Sequence, residues 1–482
     1  MIVAGSIIGA AGLIPLLSSG DLRLRRLGFA AWLAGSLLVA SSLLSHVLTH
    51  VRHTATGHPA LGAAGAVVAV AALVVGGAIA VRYPWLFLCA VVAAAPFRIP
   101  LTVGGTSAKV LVPLYGVIAV GAAATAYELV RGRDAPPRLG RIGIALGAFV
   151  LWSAISMAWT RNQHQGAVTM LFFYLPFGIL VARLGQLRER PRGLRIVLGV
   201  QVGLAALFGV VAVWQEATRH IFWNPVIAVG NAYTSFFRVN SLFWDASIYA
   251  RFMAITIVLL AGVGLHRRLT PALGVGIAAL FVAMYFSYSQ SGMLALAVGA
   301  LALGAALWPR RVTIALAVTA GVLGALALAA ALHSNSANRV TSDRLHLIRL
   351  GERVVEHHPL LGSGLGGFAM AALADTAHPF RLAGAASHTT PVTVIAEQGP
   401  IGIVLYVLLI AAVVAAGVRG GGSRGVRLTL VAAFAALITS SLFYNAFFED
   451  PSTWICMALI AFVTSRSASP GPERTPALEQ PA

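Results

Sequence analysis

Three short stretches of an otherwise apolar chain carry the residues with the clearest chemical potential. Ser387-His388-Thr389-Thr390-Pro391 places an imidazole at the mouth of an apolar segment. A histidine there can act as a general base near neutral pH; a structural interfacial histidine is the other reading. Glu397 follows about two and a half helical turns deeper. An ionisable group in a span is costly unless it is paired or functional, so a substrate-binding role and a hydrogen-bonding role both stay open. Arg238 lies among aromatics in the run Phe236 to Asp245. Its guanidinium can grip a phosphate bidentately while its stem stays in the apolar layer; interfacial snorkelling is the alternative. Asp245 and Arg251, near the start of the next span, are expected to pair with each other. Arg344, Arg349 and Arg353 concentrate positive charge that Glu352 and Glu356 partly offset. They suit an anionic lipid head group or a diphosphate, or else mark a solvated amphipathic helix.

The run Gly362-Ser363-Gly364-Leu365-Gly366-Gly367 satisfies G-x-G-x-x-G. No strand precedes it, which excludes a dinucleotide site. A turn remains, either plain or with amides facing an anion. Asp343, Asp375, Glu449 and Asp450 are scattered and offer no cluster for a divalent cation. Cys89 and Cys456 stand alone in apolar segments, which excludes a disulfide framework and a cysteine metal site. No cofactor is expected.

The elements that must position these groups are membrane spans. The 482 residues are 58% hydrophobic and 10% charged, against about 25% charged in soluble domains. The apolar runs do not alternate as barrel strands do, so the fold class is an all-α polytopic helical bundle. Fifteen spans are expected, near 2–18, 28–48, 61–81, 83–97, 110–130, 142–159, 167–183, 194–216, 246–265, 270–287, 291–308, 312–332, 392–417, 426–446 and 451–464. Residues 2–17 lack a basic n-region and do not read as a cleaved signal peptide. The net charge of +19 does not point to nucleic acid, because arginines mainly punctuate spans. Alternate loops hold most of the 34 basic residues, among them Arg23, Arg25, Arg26, Arg131, Arg133, Arg183, Arg267, Arg419 and Arg424. These loops are expected on the cytoplasmic side, with the N-terminus outside and the C-terminus inside. The expected organisation is 1–60 as two extra N-terminal helices and 61–332 as a bundle with an outer loop 217–245. An extracytoplasmic loop 333–391, C-terminal helices 392–464 and a disordered tail 465–482 follow. Within 333–391, Ser342 or Asp343 caps a helix running to about His357, with Leu345, Ile348, Glu352 and Val355 on one face.

Taken together these residues resemble the O-antigen ligase and O-antigen polymerase superfamily, bacterial membrane glycosyltransferases with a GT-C-type helical fold. The resemblance covers about 61–464. It rests on His388-Thr389, nine residues, Gly399, two residues and Gly402; on Arg344 through Pro359-Leu360-Leu361-Gly362-Ser363-Gly364; on Arg238-Val239-Asn240-Ser241-Leu242-Phe243; and on Glu449-Asp450-Pro451. The chain departs from the family at Thr389, where Asn, Ser or Gln is usual. It also departs at Gln290 in Tyr288-Ser289-Gln290-Ser291-Gly292, where the family carries an arginine. Another arginine, Arg251 or Arg349, then has to take that charge, or the activity differs.

The resemblance implies a glycan donor on a polyprenyl diphosphate, in the cell inner membrane, and an acceptor hydroxyl on a glycan or lipid. Arg238 and Arg344 would clamp the diphosphate and His388 would take the acceptor proton, without metal and with inversion. Arg251, Arg349, Gln290, Glu397, Gly362 and Gly364 are the expected substrate-binding positions. Two other readings stay open. One is a transporter or flippase, which Glu397 within a span keeps alive. The other is a non-catalytic partner in envelope polysaccharide assembly, which Gln290 favours.

Overall fold

The computed structural model describes residues 1–45, 59–103, 106–133, 139–187, 193–267, 270–309, 344–374 and 387–465, with isolated residues between them. Helices follow the apolar runs. The first are α1 Ile2–Ser18, α2 Leu22–Leu43, α3 Pro59–Arg82 and α4 Pro84–Ala94. An antiparallel hairpin, β1 Ile99–Val103 and β2 Thr106–Val110, leads into α5 Val112–Arg131. It occupies the stretch between two expected spans and is the one departure from an all-α chain among the described residues. Next come α6 Gly140–Ser156 and α7 Gln163–Thr169, which passes through a π-turn, Met170–Tyr174, into α8 Leu175–Leu184. Then follow α9 Gly193–Thr218, α10 Pro225–Ala232, α11 Ala246–Arg267, α12 Pro271–Tyr285 and α13 Gln290–Leu307. Beyond the gap lie α14 Arg344–His357, α15 Phe368–Ala374, α16 Thr390–Arg419, α17 Arg424–Ser441 and α18 Pro451–Thr464.

Eight of the described helical stretches are long and apolar enough to cross a membrane, and shorter apolar helices fill the rest of the bundle. The protein is an all-α polytopic membrane protein. Val67, Val68, Val70 and Val74 on α3 are exposed, as a helix facing lipid requires. The expected span 312–332, the capping residues Ser342 and Asp343, and the tail after Ser465 lie largely or wholly outside the described residues.

Small residues allow the closest helix contacts. A Cβ at Gly12 of α1 would lie 2.5 Å from the Gly28 carbonyl of α2. Leu13, Leu16 and Leu17 of α1 are fully buried, and α1 packs on α6 and α8 as well as α2. These two helices, read from the sequence as additions, are thus part of the packed bundle.

The arginines between spans have a second use. Arg26 donates to the Leu129 and Val130 carbonyls at the end of α5, and Arg183 to the Ala80 carbonyl at the end of α3. Arg427 donates to the Gly417 and Val418 carbonyls at the end of α16. Terminal carbonyls have no partner within their own helix, and cations satisfy both their hydrogen bonding and the helix dipole. One end of the bundle is therefore an arginine-capped collar. The starts of α11, α13, α16 and α18 lie at the other end.

The interhelical segment contains the expected helix, packed on one side. Leu350 and Val354 of α14 pack with Phe368, Ala372 and Ala396, while Glu352 is exposed. Gly351 allows the close approach, since a Cβ there would collide with Val392 of α16. Of the residues expected on one face, Val355 packs against this cluster and Glu352 does not.

Candidate functional site at one end of the bundle

Arg238 is held by its backbone before its charge is used. The Asn231 amide brackets it: Oδ1 accepts from the Arg238 N–H at 2.9 Å and Nδ2 donates to its carbonyl at 3.1 Å. The Arg238 Nε donates to the Ser287 carbonyl at 3.2 Å, and the Val239 N–H donates to Phe286. Below this loop the buried Gln215 side chain accepts from the N–H of Ser241 at 2.7 Å and of Asn240 at 3.2 Å. That grip holds Ser241 in the left-handed region, at φ 52°. The loop of Arg238 and the turn before Gln290 are thereby one unit.

Arg251 is buried near the start of α11, and its partner is not the expected one. Its Nε pairs with Asp450 Oδ2 at 2.7 Å, with side chains 3% and 9% exposed. Asp245 instead accepts from the Ser247 N–H at 2.7 Å at the head of α11. The Arg251 pairing with Asp450 corrects the Asp245–Arg251 pair read from sequence. Asp450 caps α18 through the Ser452 N–H as well. The Arg251 Nη2 is buried and makes no hydrogen bond among the described residues.

Tyr444 joins this pair to the histidine. The Arg251 guanidinium carbon stands 5.8 Å from the Tyr444 ring centre, and the His388 ring meets the same ring edge-on at 6.4 Å. His388 is exposed and sits at φ 54°. The Thr389 hydroxyl pins its segment to the Leu442 carbonyl at 3.1 Å, so Thr389 fulfils a positioning role at the position where the sequence departs mildly. Arg98, after α4, donates to the Glu449 carbonyl at 3.0 Å and completes the cluster. Burial, then the charge of Asp245, push the Tyr444 phenol up to about 12, although Arg98 and Arg251 pull it down. It stays a neutral hydroxyl at physiological pH.

The glycine-rich turn does face an anion, one of the protein's own. Gly399-Pro400 breaks α16: Gly399 takes φ 66°, ψ −166°, and Pro400 has no N–H for the Ala396 carbonyl. The carbonyls released by the break find other donors. Ser363 N–H and Oγ reach Ala396 at 2.8 and 3.1 Å, Gly364 N–H reaches Glu397 at 2.8 Å, and Trp152 Nε1 reaches Gln398 at 3.0 Å. The turn continues to the Phe368 N–H, which donates to the buried Glu397 Oε1 at 3.3 Å. Gly362 and Gly364, at φ 69° and 82°, meet α16 and α6 too closely for any side chain. They therefore support Glu397 and are not themselves open to a ligand. Of the two glycines in the family spacing, Gly399 is a break in α16 and Gly402 is covered by the Gln398 side chain.

Between this turn, α7, the π-turn and the 445–449 loop opens a cleft of about 470 Å³. Glu397 and Glu449 both line it. Burial raises the Glu449 carboxyl above its ordinary 4.5, against the lowering charges of Arg98 and Arg251. A carboxyl raised in the folded state binds its proton more tightly there, so native stability falls as pH climbs from the ordinary value through the raised one. Glu449→Gln is expected to be neutral in thermal stability near about pH 4 and more stable than the parent near about pH 8. Unfolding curves at the two pH values check this, and an equal effect at both contradicts it.

The remaining expected positions disperse. Gln290 is exposed in the first turn of α13, whose Ser289 caps the Gly292 N–H. Two residues on, Gly292 abuts Ala250, the neighbour of Arg251. Arg349 is exposed on α14, away from the Leu350–Val354 face. The side chain of Arg344 lies outside the described residues. Tyr444, Arg98, Gln165 and Gln215 were not singled out from sequence. The polar run Asn162-Gln163-His164-Gln165 between two apolar spans was the available signal for the cleft.

Residues 275–407, from α12 into α16, match the family described as O-antigen ligase. The match takes in Gln290, the glycine-rich turn, His388, Glu397 and Gly399, and supports the O-antigen ligase and polymerase superfamily. No curated protein matches the chain.

Proposed function

We propose that this chain, as a member of the O-antigen ligase and polymerase superfamily, transfers glycan from a polyprenyl-diphosphate-linked donor to an acceptor hydroxyl. The reaction would take place at the outer face of the inner membrane, with the N-terminus outside and the C-terminus in the cytoplasm. The observation that carries this reading is the Tyr444 ring, which touches both the His388 ring and the Arg251 guanidinium. A candidate base and a buried cation thus flank one side chain at the same end of the bundle.

A diphosphate is already a good leaving group. The reaction needs charge neutralisation where the bond breaks and an acceptor oxygen relieved of its proton. Arg251 holds one guanidinium nitrogen without a hydrogen bond among the described residues, which suits a diphosphate oxygen. Beside the start of α13 it supplies the charge that Gln290 lacks. Arg238, fixed by Asn231 and Ser287, is the second cation in this proposal, and Arg344 the third. The acceptor oxygen attacks the anomeric carbon from the face opposite the diphosphate. The carbon–oxygen bond to the diphosphate breaks, the polyprenyl diphosphate leaves, and a ring nitrogen of His388 accepts the hydroxyl proton. A single displacement of this kind inverts the anomeric centre. No step is assigned to a metal.

The transporter reading drew on Glu397 as an ionisable group within a span. That carboxylate accepts from the Phe368 N–H through Oε1, which accounts for its place in the fold without transport. The reading as a non-catalytic partner drew on Gln290, and Arg251 offers the missing charge.

Exchange of His388 or Arg238 for alanine is expected to abolish long-chain surface glycan at normal protein levels, read by chain length on gels. Unchanged glycan in both variants overturns the enzymatic proposal. A cysteine introduced within 360–385 is expected to react with a membrane-impermeant thiol reagent in intact cells. Cys89 and Cys456 are buried and leave the signal clean. Protection of the introduced thiol overturns the orientation.

A further inference from the structure

The cleft beside His388 has a lining that selects its ligand. Among the described residues it is walled by side-chain amides, threonine hydroxyls and two carboxylates, and no Lys, Arg or His contributes. With no cation in its lining, the cleft offers a phosphate no counter-charge at hydrogen-bond range. They accept hydrogen bonds from neutral hydroxyls, and the amides both donate and accept. Tyr174, Phe447 and Phe448 add aromatic wall. That combination fits a ring with polar edges and C–H faces. The volume, about 470 Å³, falls within the range of about 300–1,000 Å³ typical of small-molecule sites.

Two further observations point to a ligand. The side-chain amides of Gln165 and Asn445 both line the cleft and make no hydrogen bond to the described residues. The wall at Tyr174 is formed by the π-turn Met170–Tyr174. A single π-turn inside an α-helix gives up regular hydrogen bonding, and such turns concentrate at functional sites. The position is equally specific. Thr390, buried in the lining, lies two residues after His388, and Asn445 follows Tyr444. A sugar seated here lies beside the chain segments that carry His388 and Tyr444.

We infer that this cleft binds the terminal, uncharged sugar of the acceptor chain, recognised by Gln165 and Asn445 and by the carboxylates of Glu397 and Glu449. The inference rests on the proposed glycan transfer and adds the chemistry of the acceptor. It is a positioning site; no bond is made or broken in it.

The test uses the full chain in nanodiscs, lipid-linked glycan from the producing cells as donor, and oligosaccharides released from their surface polysaccharide by mild acid as acceptor. Gln165→Leu and Asn445→Leu are each expected to raise the KM for acceptor about tenfold, the effect of one lost hydrogen bond to a sugar hydroxyl. The KM for donor should stay within about twofold. Gln165 is exposed, so its substitution spares the core. Unchanged acceptor KM in both variants, or a rise in donor KM alone, overturns the assignment while leaving the transferase reading standing. If the parent protein transfers nothing, the transferase reading fails and the cleft is judged by binding. Saturation-transfer NMR with the same oligosaccharides should then show contact in the parent and loss in both variants; absence of contact in the parent overturns the sugar site.

Discussion

Replacing Arg251 by glutamine is expected to destabilise the protein by about 3–5 kcal/mol, and adding Asp450→Asn should restore most of that loss. The single variant leaves the Asp450 carboxylate, 9% exposed, without the guanidinium 2.7 Å away. Removing one partner of a buried pair strands a charge, whereas removing both charges leaves two amides that can bond to each other. Asparagine also keeps the cap on the Ser452 N–H, which isolates the charge as the variable. Thermal unfolding of the two single variants and the double variant measures the coupling. Surface glycan supplies the second axis. If Arg251 is only a strut, the double variant recovers glycan along with stability. If its unpaired Nη2 serves a diphosphate, stability returns and glycan does not. Equal stability of the single and double variants would show that the pair contributes nothing to the fold.

The contrast between Asp245 and Asp450 explains how much could be read from the sequence. Hydropathy alone placed the spans, because a span is a local property of about 20 residues. Pairing is not local. Asp245 lies close to Arg251 in the chain and was the natural partner on spacing, yet it caps α11 through the Ser247 amide while Arg251 pairs with Asp450. Asp450 arrives from the far end of the chain, through the packing of α17 and α18 on the bundle. Tyr444 was silent for the same reason: nothing in a single sequence states that one ring will meet both His388 and Arg251. The glycine-rich turn was half legible. Its motif left open a plain turn or amides facing an anion, and the group it holds, Glu397, belongs to the same chain and was read as a separate feature. The face of α14 was partly legible: Val355 packs where spacing put it, and the close approach of Gly351 to Val392 needed the fold to show it.

Gly399→Ala is the second substitution expected to be severe, and its argument joins local geometry to the site. At φ 66°, ψ −166° the residue occupies a region that is essentially closed to side chains, at about 1–3 kcal/mol for the conformation alone. The added Cβ would also stand 2.5 Å from the Leu360 carbonyl oxygen, a backbone atom that cannot swing aside. Relief requires moving either the Leu360–Gly364 turn or the start of α16. Either movement parts Ser363 from the Ala396 carbonyl, for which Pro400 offers no donor, and loosens the Phe368 amide from Glu397. A total loss of at least about 3 kcal/mol is expected. Gly276→Ala on α12 is the control: it is helical, and a Cβ there meets nothing within 4 Å. Thermal unfolding should place it at or slightly above the parent. Should Gly399→Ala prove as stable as Gly276→Ala, the break would not be what holds the turn. A stability loss confined to Gly399→Ala would mean that the family pattern of His388 followed by Gly399 records a backbone requirement: α16 must break there to hold the Glu397 carboxylate in the cleft wall.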